Sequence, residues 1–299
     1  MRRSGLARRG RAVQHIPMTL ATSTHEVTYL ELSTRGLRIH VQVRGQGEPL
    51  LLYSPIWAEA EVWQPLLPYL DGFRTIAFDP PGIGRSPMPA LPMSMEALAS
   101  VGAALLDEFG IEAAHVLGAS FGGAVAQYMA IRYPARVRRL VLASTSFGGF
   151  AIPGRPAALW HIVHPGRYRG RMEEIAADTF GGRLRAEPEL VRAMPICSPP
   201  DIPTALHNMA PLLGWSSLPW LWTIRHPTLV IAGDDDPVTP LVNHQVMAML
   251  MPRARLHTVS GGGHLVLLDS AEEVGPVIAS FLRDDGGARD AADEPNAAR

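Results

Sequence analysis

The chain has one cysteine, Cys197, in 299 residues, so no internal disulfide can staple it, and such usage fits a reducing compartment. Cys197 is also a poor candidate nucleophile. It lies in the proline-rich "MPICSPPDIP", with no strand–turn–helix context and nothing in view to lower a thiol pKa. No uninterrupted apolar run approaches the ~18 residues of a membrane-spanning helix. The arginines near the start (Arg2, Arg3, Arg8, Arg9, Arg11) are not followed by the apolar stretch of ~7–15 residues that a secretory leader needs. The cytoplasm is the expected location. An excess of either charge is missing as well. With 27 basic and 28 acidic residues, the formal net charge is −1, and no basic field recommends nucleic acid as a partner. There is no internal repeat.

What is present is a chain long enough to bury roughly 75% of its unfolded surface without staples. Apolar residues make up 47% of it, and 28 glycines and 27 prolines are spread as punctuation between many short elements. "VTYLELS" (27–33) and "LRIHVQV" (37–43) alternate apolar and polar residues around Arg35-Gly36, which predicts an antiparallel hairpin. "PLLLYS" (49–54), "RTIAFD" (74–79), "HVLGA" (115–119), "RLVLAS" (139–144), "PTLVIAG" (227–233) and "ARLHTVS" (254–260) follow. Runs of this kind belong to strands buried on both faces. Helical stretches are expected at 59–70, 94–109, 121–133, 240–250 and 271–282. Strands alternating with helices predict an α/β fold, with a mainly parallel, doubly wound sheet and helices on both faces.

The alternation breaks once. From 147 to 222 there is no clear buried strand, but helical fragments, prolines and four of the six tryptophans (Trp160, Trp215, Trp220, Trp222). This reads as a helical cap inserted after the sixth strand, between core segments 27–146 and 223–283. An N-terminal arm (1–26) and a polar tail (284–299) are expected to be disordered. The cap tryptophans serve packing, or line a lid over an apolar ligand.

The informative stretch is "HVLGASFGGAVAQYMA", where Gly118-Ala119-Ser120-Phe121-Gly122 has the form G-x-S-x-G between an apolar run and an apolar-rich helix. A strand-to-helix turn this sharp forces the serine backbone into a sparsely populated conformation and needs neighbours with almost no side chain. It lifts Ser120 Oγ clear of the sheet. It also sets the Phe121 amide, at a helix N-terminus, beside any anion formed there. A serine hydroxyl is a weak nucleophile and needs a base. His264, after Gly261-Gly262-Gly263 and a final strand, is the candidate. The imidazole needs an acceptor to set its tautomer. "VIAGDDDPVTP" offers three carboxylates, of which Asp236 is the choice, with Asp234 and Asp235 turn-forming or solvated. The other position for such an acid, after "RLVLAS", carries Ser144-Thr145-Ser146 and no carboxylate. His161 and His164 are three apart, but no nearby carboxylate or cysteine completes a metal site, and cap packing is expected of them.

The order Ser120…Asp236…His264, with "DPPGIGRS" (79–86) after an early strand, resembles the α/β-hydrolase superfamily over about residues 37–282. Asp79 in that loop is expected to be structural. "IPGRPAALW" (152–160), "FGGRLRAEPEL" (180–190), "GWSSLPWLWTIRHPTLVIAGDDDP" (214–237) and "GGHLVLL" (262–268) resemble the intracellular medium-chain poly(3-hydroxyalkanoate) depolymerases. That resemblance implies Ser120 as nucleophile, Asp236 as acid and His264 as base. It implies an ester hydrolase acting on apolar 3-hydroxyacyl chains, at a polyester granule surface or on oligomers, with no metal or organic cofactor.

One departure stands out. Where such hydrolases usually read His-Gly or Asn-Gly, this chain has Ser54-Pro55, leaving Ile56 as the second oxyanion donor, since proline has no N–H. Trp57 replaces a small residue and is expected to narrow the acyl pocket, with Trp160 and Trp215 as further pocket candidates. Losing one oxyanion donor costs typically ~10²–10³ in rate. The rival readings are therefore a small-molecule esterase, thioesterase or lactonase, other chemistry the fold hosts (C–C lyases, cofactor-free oxygenases), and a non-catalytic ligand-binding homologue.

Overall fold

Each apolar run becomes a strand whose successive side chains serve opposite sides of one sheet. The run 254–260, expected to be buried on both faces, instead lies at the sheet edge, where only Val259 is buried. In the computed structural model, which describes residues 27–284 apart from 35, 165, 166, 168, 169 and 196–200, the strands are β1 (Val27–Thr34), β2 (Leu37–Arg44), β3 (Glu48–Tyr53), β4 (Phe73–Phe78), β5 (Ala114–Ala119), β6 (Val137–Ala143), β7 (Thr228–Gly233) and β8 (Ala254–Val259). The arm, Cys197 and all but the first residue of the tail lie outside the described residues. The eight strands form one sheet in the order β1-β2-β4-β3-β5-β6-β7-β8. β1 pairs antiparallel with β2, and β2 antiparallel with β4, while β3 to β8 run parallel.

The alternation is visible in β3. Leu51 joins Ile76, Val116, Leu140 and Leu142 in one core layer, whereas Leu50 and Leu52 join Ala77, Leu117 and Val141 in the other. Three helices, α1 (Met95–Glu108), α2 (Phe121–Arg132) and, further along the chain, α6 (Leu241–Leu250), cover the first layer through Val101, Leu105, Val125, Met129 and Met247. The C-terminal helix α8 (Ala271–Arg283) covers the second through Val274, Ile278 and Phe281. Two covered faces explain why the central strands carry no polar alternation.

The helix expected over 59–70 is not there. The segment forms two 3₁₀ turns, Ala60–Trp63 and Leu67–Leu70, which still bury Trp63, Leu66 and Leu70. Pro65 and Pro68 each lack the N–H an α-helix would use, and their rings clash with the preceding turn.

Between β6 and β7 the chain leaves the sheet. It makes α3 (Pro156–Val163), α4 (Met172–Phe180) and α5 (Ile202–Met209), with 3₁₀ turns among them. This insertion has a small core of Ala176, Leu184 and Val191, against which Phe180 and Leu265 pack. A short α7 (Val266–Asp269) follows β8. Among the described residues, no helix is long and apolar enough to cross a membrane.

Candidate active site

Ser120 stands between β5 and α2 with φ 50° and ψ −118°, a left-handed conformation that is costly for a residue with a side chain. The surrounding backbone leaves it no alternative. A Cβ on Gly122 would overlap the Tyr53 carbonyl oxygen at the end of β3, and one on Gly118 would overlap the Gly122 carbonyl oxygen. A Cβ on Gly123 would meet Thr145 at 2.6 Å. Thr145 Oγ1 in turn donates to the Ser120 carbonyl oxygen at 2.7 Å. The glycines therefore serve close approach, as the sequence predicts.

The three side chains separated along the chain meet here. Ser120 Oγ lies 3.0 Å from His264 Nε2, and His264 Nδ1 lies 2.8 Å from Asp236 Oδ2. Asp236, fully buried at its side chain, also accepts from the Val238 and Thr239 amides at 2.7 and 2.9 Å and from Thr239 Oγ1 at 2.6 Å. Burial pushes this carboxyl upward. The facing His264 and the Thr239 hydrogen bonds outweigh it and hold the group below its ordinary value. Asp236 thus stays ionised, and it fixes the N–H of His264 on Nδ1, leaving Nε2 as acceptor toward Ser120.

Phe121 begins α2, and Ile56 follows β3 in the neighbouring loop. Among the described residues, neither backbone N–H has a hydrogen-bond acceptor. In that loop Ser54 Oγ accepts from Trp63 Nε1 at 3.1 Å, and Trp57 has φ 60°. The Ser54-Pro55 departure is accommodated by a buried serine hydrogen bond and a strained tryptophan.

One cavity opens on Ser120 and a second on its neighbour Phe121. The first, about 40 Å³, is bounded by Val62, Trp63, Leu265, Leu267 and Leu268 together with Ser120 and His264. The other, about 20 Å³, contains Ile56, Trp57 and Phe121, with residues of α5 opposite. Trp57 therefore lines a cavity at the site. Trp160 and Trp215 do not line either of these two cavities. Trp160 is half exposed and lies over His164, with ring centroids 3.8 Å apart. Trp215 is held away by backbone pairing, its carbonyl accepting from the Gly149 amide at 2.9 Å, and it lines a separate groove with Met93 and Tyr128. His161 Nδ1 meets Thr179 Oγ1 at 2.9 Å and His164 Nδ1 meets the Trp160 carbonyl at 3.0 Å, so both rings are engaged within the insertion.

The two carboxylates before Asp236 have separate tasks. Asp234 Oδ1 accepts from the Gly261 amide at 2.7 Å, holding the loop that carries His264. Asp235 stands in the turn after β7, as expected, and it also holds the insertion. Its carboxylate accepts from the Gly182 amide at 2.9 Å, from Arg185 through Nε and Nη2, and from Arg155 at 3.5 Å, clamping the insertion to the core. The insertion reaches the histidine loop too, with the His264 amide donating to the Phe180 carbonyl at 2.7 Å. Asp79 is structural, as expected, bonded through its carboxylate to the Ala60 and Arg85 amides at 2.8 and 2.9 Å.

His244 escaped the sequence reading. It is fully buried, its Nε2 accepts the Thr145 amide at 3.0 Å, and burial pushes its pKa down to about 4. A neutral imidazole thus anchors the residue that holds the Ser120 carbonyl. The only signal in the sequence is the polar run Asn243-His244-Gln245 in the otherwise apolar helix "LVNHQVMAML".

The chain belongs to the α/β-hydrolase superfamily: residues 49–181 match the alpha/beta hydrolase fold family, and residues 219–294 match a family described as TAP-like protein. It is similar to a poly(3-hydroxyalkanoate) depolymerase of Ectopseudomonas oleovorans, 39% identical over 85% of this chain and 91% of that protein. It is also similar to a 2-hydroxymuconate semialdehyde hydrolase of Pseudomonas sp. (strain CF600), 29% identical over 84% of this chain and 93% of that one. Among solved structures, a hydrolase from Pseudomonas aeruginosa PA01 superposes with a TM-score of 0.71 at 28% identity, covering 86% of this chain and 98% of its own. These relatives support a hydrolase.

Proposed function

We propose that the protein is a serine ester hydrolase working through an acyl-enzyme. The observation that carries this reading is the continuous hydrogen-bonded line from Ser120 through His264 to Asp236, beside two amides that have no acceptor among the described residues. Ser120 Oγ attacks the ester carbonyl while His264 Nε2 takes its proton. The negative charge on the carbonyl oxygen falls to the Ile56 and Phe121 N–H groups. His264, made cationic beside ionised Asp236, then protonates the departing alkoxide. A water activated by the same imidazole releases the acid and regenerates Ser120.

The substrate we propose is an ester of apolar 3-hydroxyacyl chains, polymeric or oligomeric. The depolymerase relative and the apolar walls around Ser120 support this assignment. Large exposed apolar side chains on the insertion, including Phe150, Leu206, Leu213, Trp220 and Trp222, support its approach to a polyester surface. The small size of the two cavities favours a second reading, a short soluble ester.

Ser120→Ala is expected to lower kcat toward p-nitrophenyl alkanoates by about 10⁴–10⁶-fold with the fold intact by circular dichroism. Undiminished turnover would reject the mechanism. Wild-type rates on emulsified medium-chain polyester against short soluble esters decide between the two substrates, and labelling of Ser120 by a fluorophosphonate separates an enzyme from a binding homologue.

A further inference from the structure

The 20 Å³ cavity at Ile56 and Phe121 has apolar walls, among them Pro80, Pro81, Ile83 and Leu98. Three of its lining residues nevertheless carry buried polar atoms with no hydrogen-bond partner among the described residues: Trp57 Nε1, His207 Nε2 and Asn208 Nδ2. Such atoms are costly when left unpaired, and native proteins keep few of them. Their residues meet at this cavity from both sides, but the atoms themselves are closed off from it, so side-chain shifts must turn the donors inward. Trp57 comes from the loop after β3, whereas His207 and Asn208 come from α5 of the insertion. Trp57 Nε1 and Asn208 Nδ2 can only donate, and His207 Nε2 donates in one tautomer. The unpaired groups therefore call for an oxygen acceptor. The cavity holds one group roughly the size of a water molecule, which suits a carbonyl oxygen and not a chain. Ile56 and Phe121 line the same cavity, placing it next to the reacting carbonyl.

We propose that this cavity is a subsite for a second carbonyl or carboxylate oxygen of the substrate, a few bonds from the scissile ester. Trp57 and Asn208 donate to it, and His207 donates as the third. This rests on the ester-hydrolase reading and deepens it. A chain of 3-hydroxyacyl units presents such an oxygen on the neighbouring unit, whereas a simple alkyl ester does not. A site built from paired donors rejects ligands lacking the acceptor more strongly than an apolar pocket rejects a missing methylene.

The test compares three substrates: a 3-hydroxyalkanoate dimer with a free carboxylate, its methyl ester, and a simple alkanoate ester of similar length. Asn208→Leu and Trp57→Phe are each expected to lower kcat/KM for a dimer at least about tenfold more than for the simple ester. A selective loss confined to the free acid assigns the subsite to a terminal carboxylate, and a loss shared with the methyl ester assigns it to a mid-chain carbonyl. Equal losses on all three substrates would overturn the subsite. Calorimetric binding of the dimer to Ser120→Ala, with and without Asn208→Leu, gives a readout free of turnover. Binding weakened at least about tenfold by Asn208→Leu sustains the subsite even if the hydrolytic reading fails. Unchanged affinity overturns it even if wild-type hydrolysis is robust.

Discussion

Asp236, 0% exposed at its side chain, has four hydrogen-bond donors around one carboxylate, and their arrangement decides its role. Three come from Val238 and Thr239, so the turn itself orients the group before His264 arrives. Asp236→Asn keeps this shape but can present an amide N–H to Nδ1, favouring the wrong imidazole tautomer. On the proposed mechanism kcat is expected to drop by about 10⁴-fold with little change in KM. A variant retaining more than a tenth of wild-type kcat would remove Asp236 from the mechanism. Sequence reading selected this residue from three neighbours because only Asp236 precedes the proline and the helix start. It places Asp235 in a turn but misses its clamp, because the arginines that hold it lie 50 and 80 residues away. No local pattern announces such a pair.

At the level of elements, the glycine-bearing ends of strands and helices determine what can touch. A Cβ on Gly263 would overlap the Phe180 carbonyl oxygen, and one on Gly182 would overlap the Gly263 amide nitrogen, so the insertion rests directly on the histidine loop. Arg185 and Asp235 fasten the same seam, but the pair is partly exposed, at 34% and 27%. Arg185→Ala is therefore expected to cost only about 0–1 kcal/mol of stability. It should raise KM severalfold, because the insertion, whose α5 faces Ile56 and Phe121, loses one of its ties to the core. Steady-state kinetics beside a thermal melt check this. Unchanged KM would show that the seam holds without the ion pair. Strands and most helices were legible from periodicity, while the 59–70 segment was not. Its apolar spacing suits a helix and its two prolines forbid one, and the prolines prevail.

Across the whole molecule, buried titratable groups tie stability to pH. His244 has its folded pKa lowered to about 4 by burial, so the unfolded chain binds more protons between that value and its ordinary pKa. Asp236 is lowered as well, by His264 and Thr239 acting against burial. His244 therefore contributes stability that is lost as pH falls from its ordinary pKa toward about 4, whereas the contribution of Asp236 is lost only below the ordinary carboxylate range. Thermal melts are expected to show Tm dropping by several degrees between about pH 7 and about pH 5, and His244→Gln should flatten that slope. A slope unchanged in the variant would assign the acid sensitivity to other groups.

Linear patterning alone determined the sheet, the strand-to-helix turn at Ser120 and the identity of its two partners, because buried strands and tight turns demand particular residues locally. Only tertiary structure decided which tryptophan borders the site, what Asp235 holds and where His244 lies. Those outcomes depend on segments far apart in the chain, whose encounter is set by packing and leaves no periodic trace.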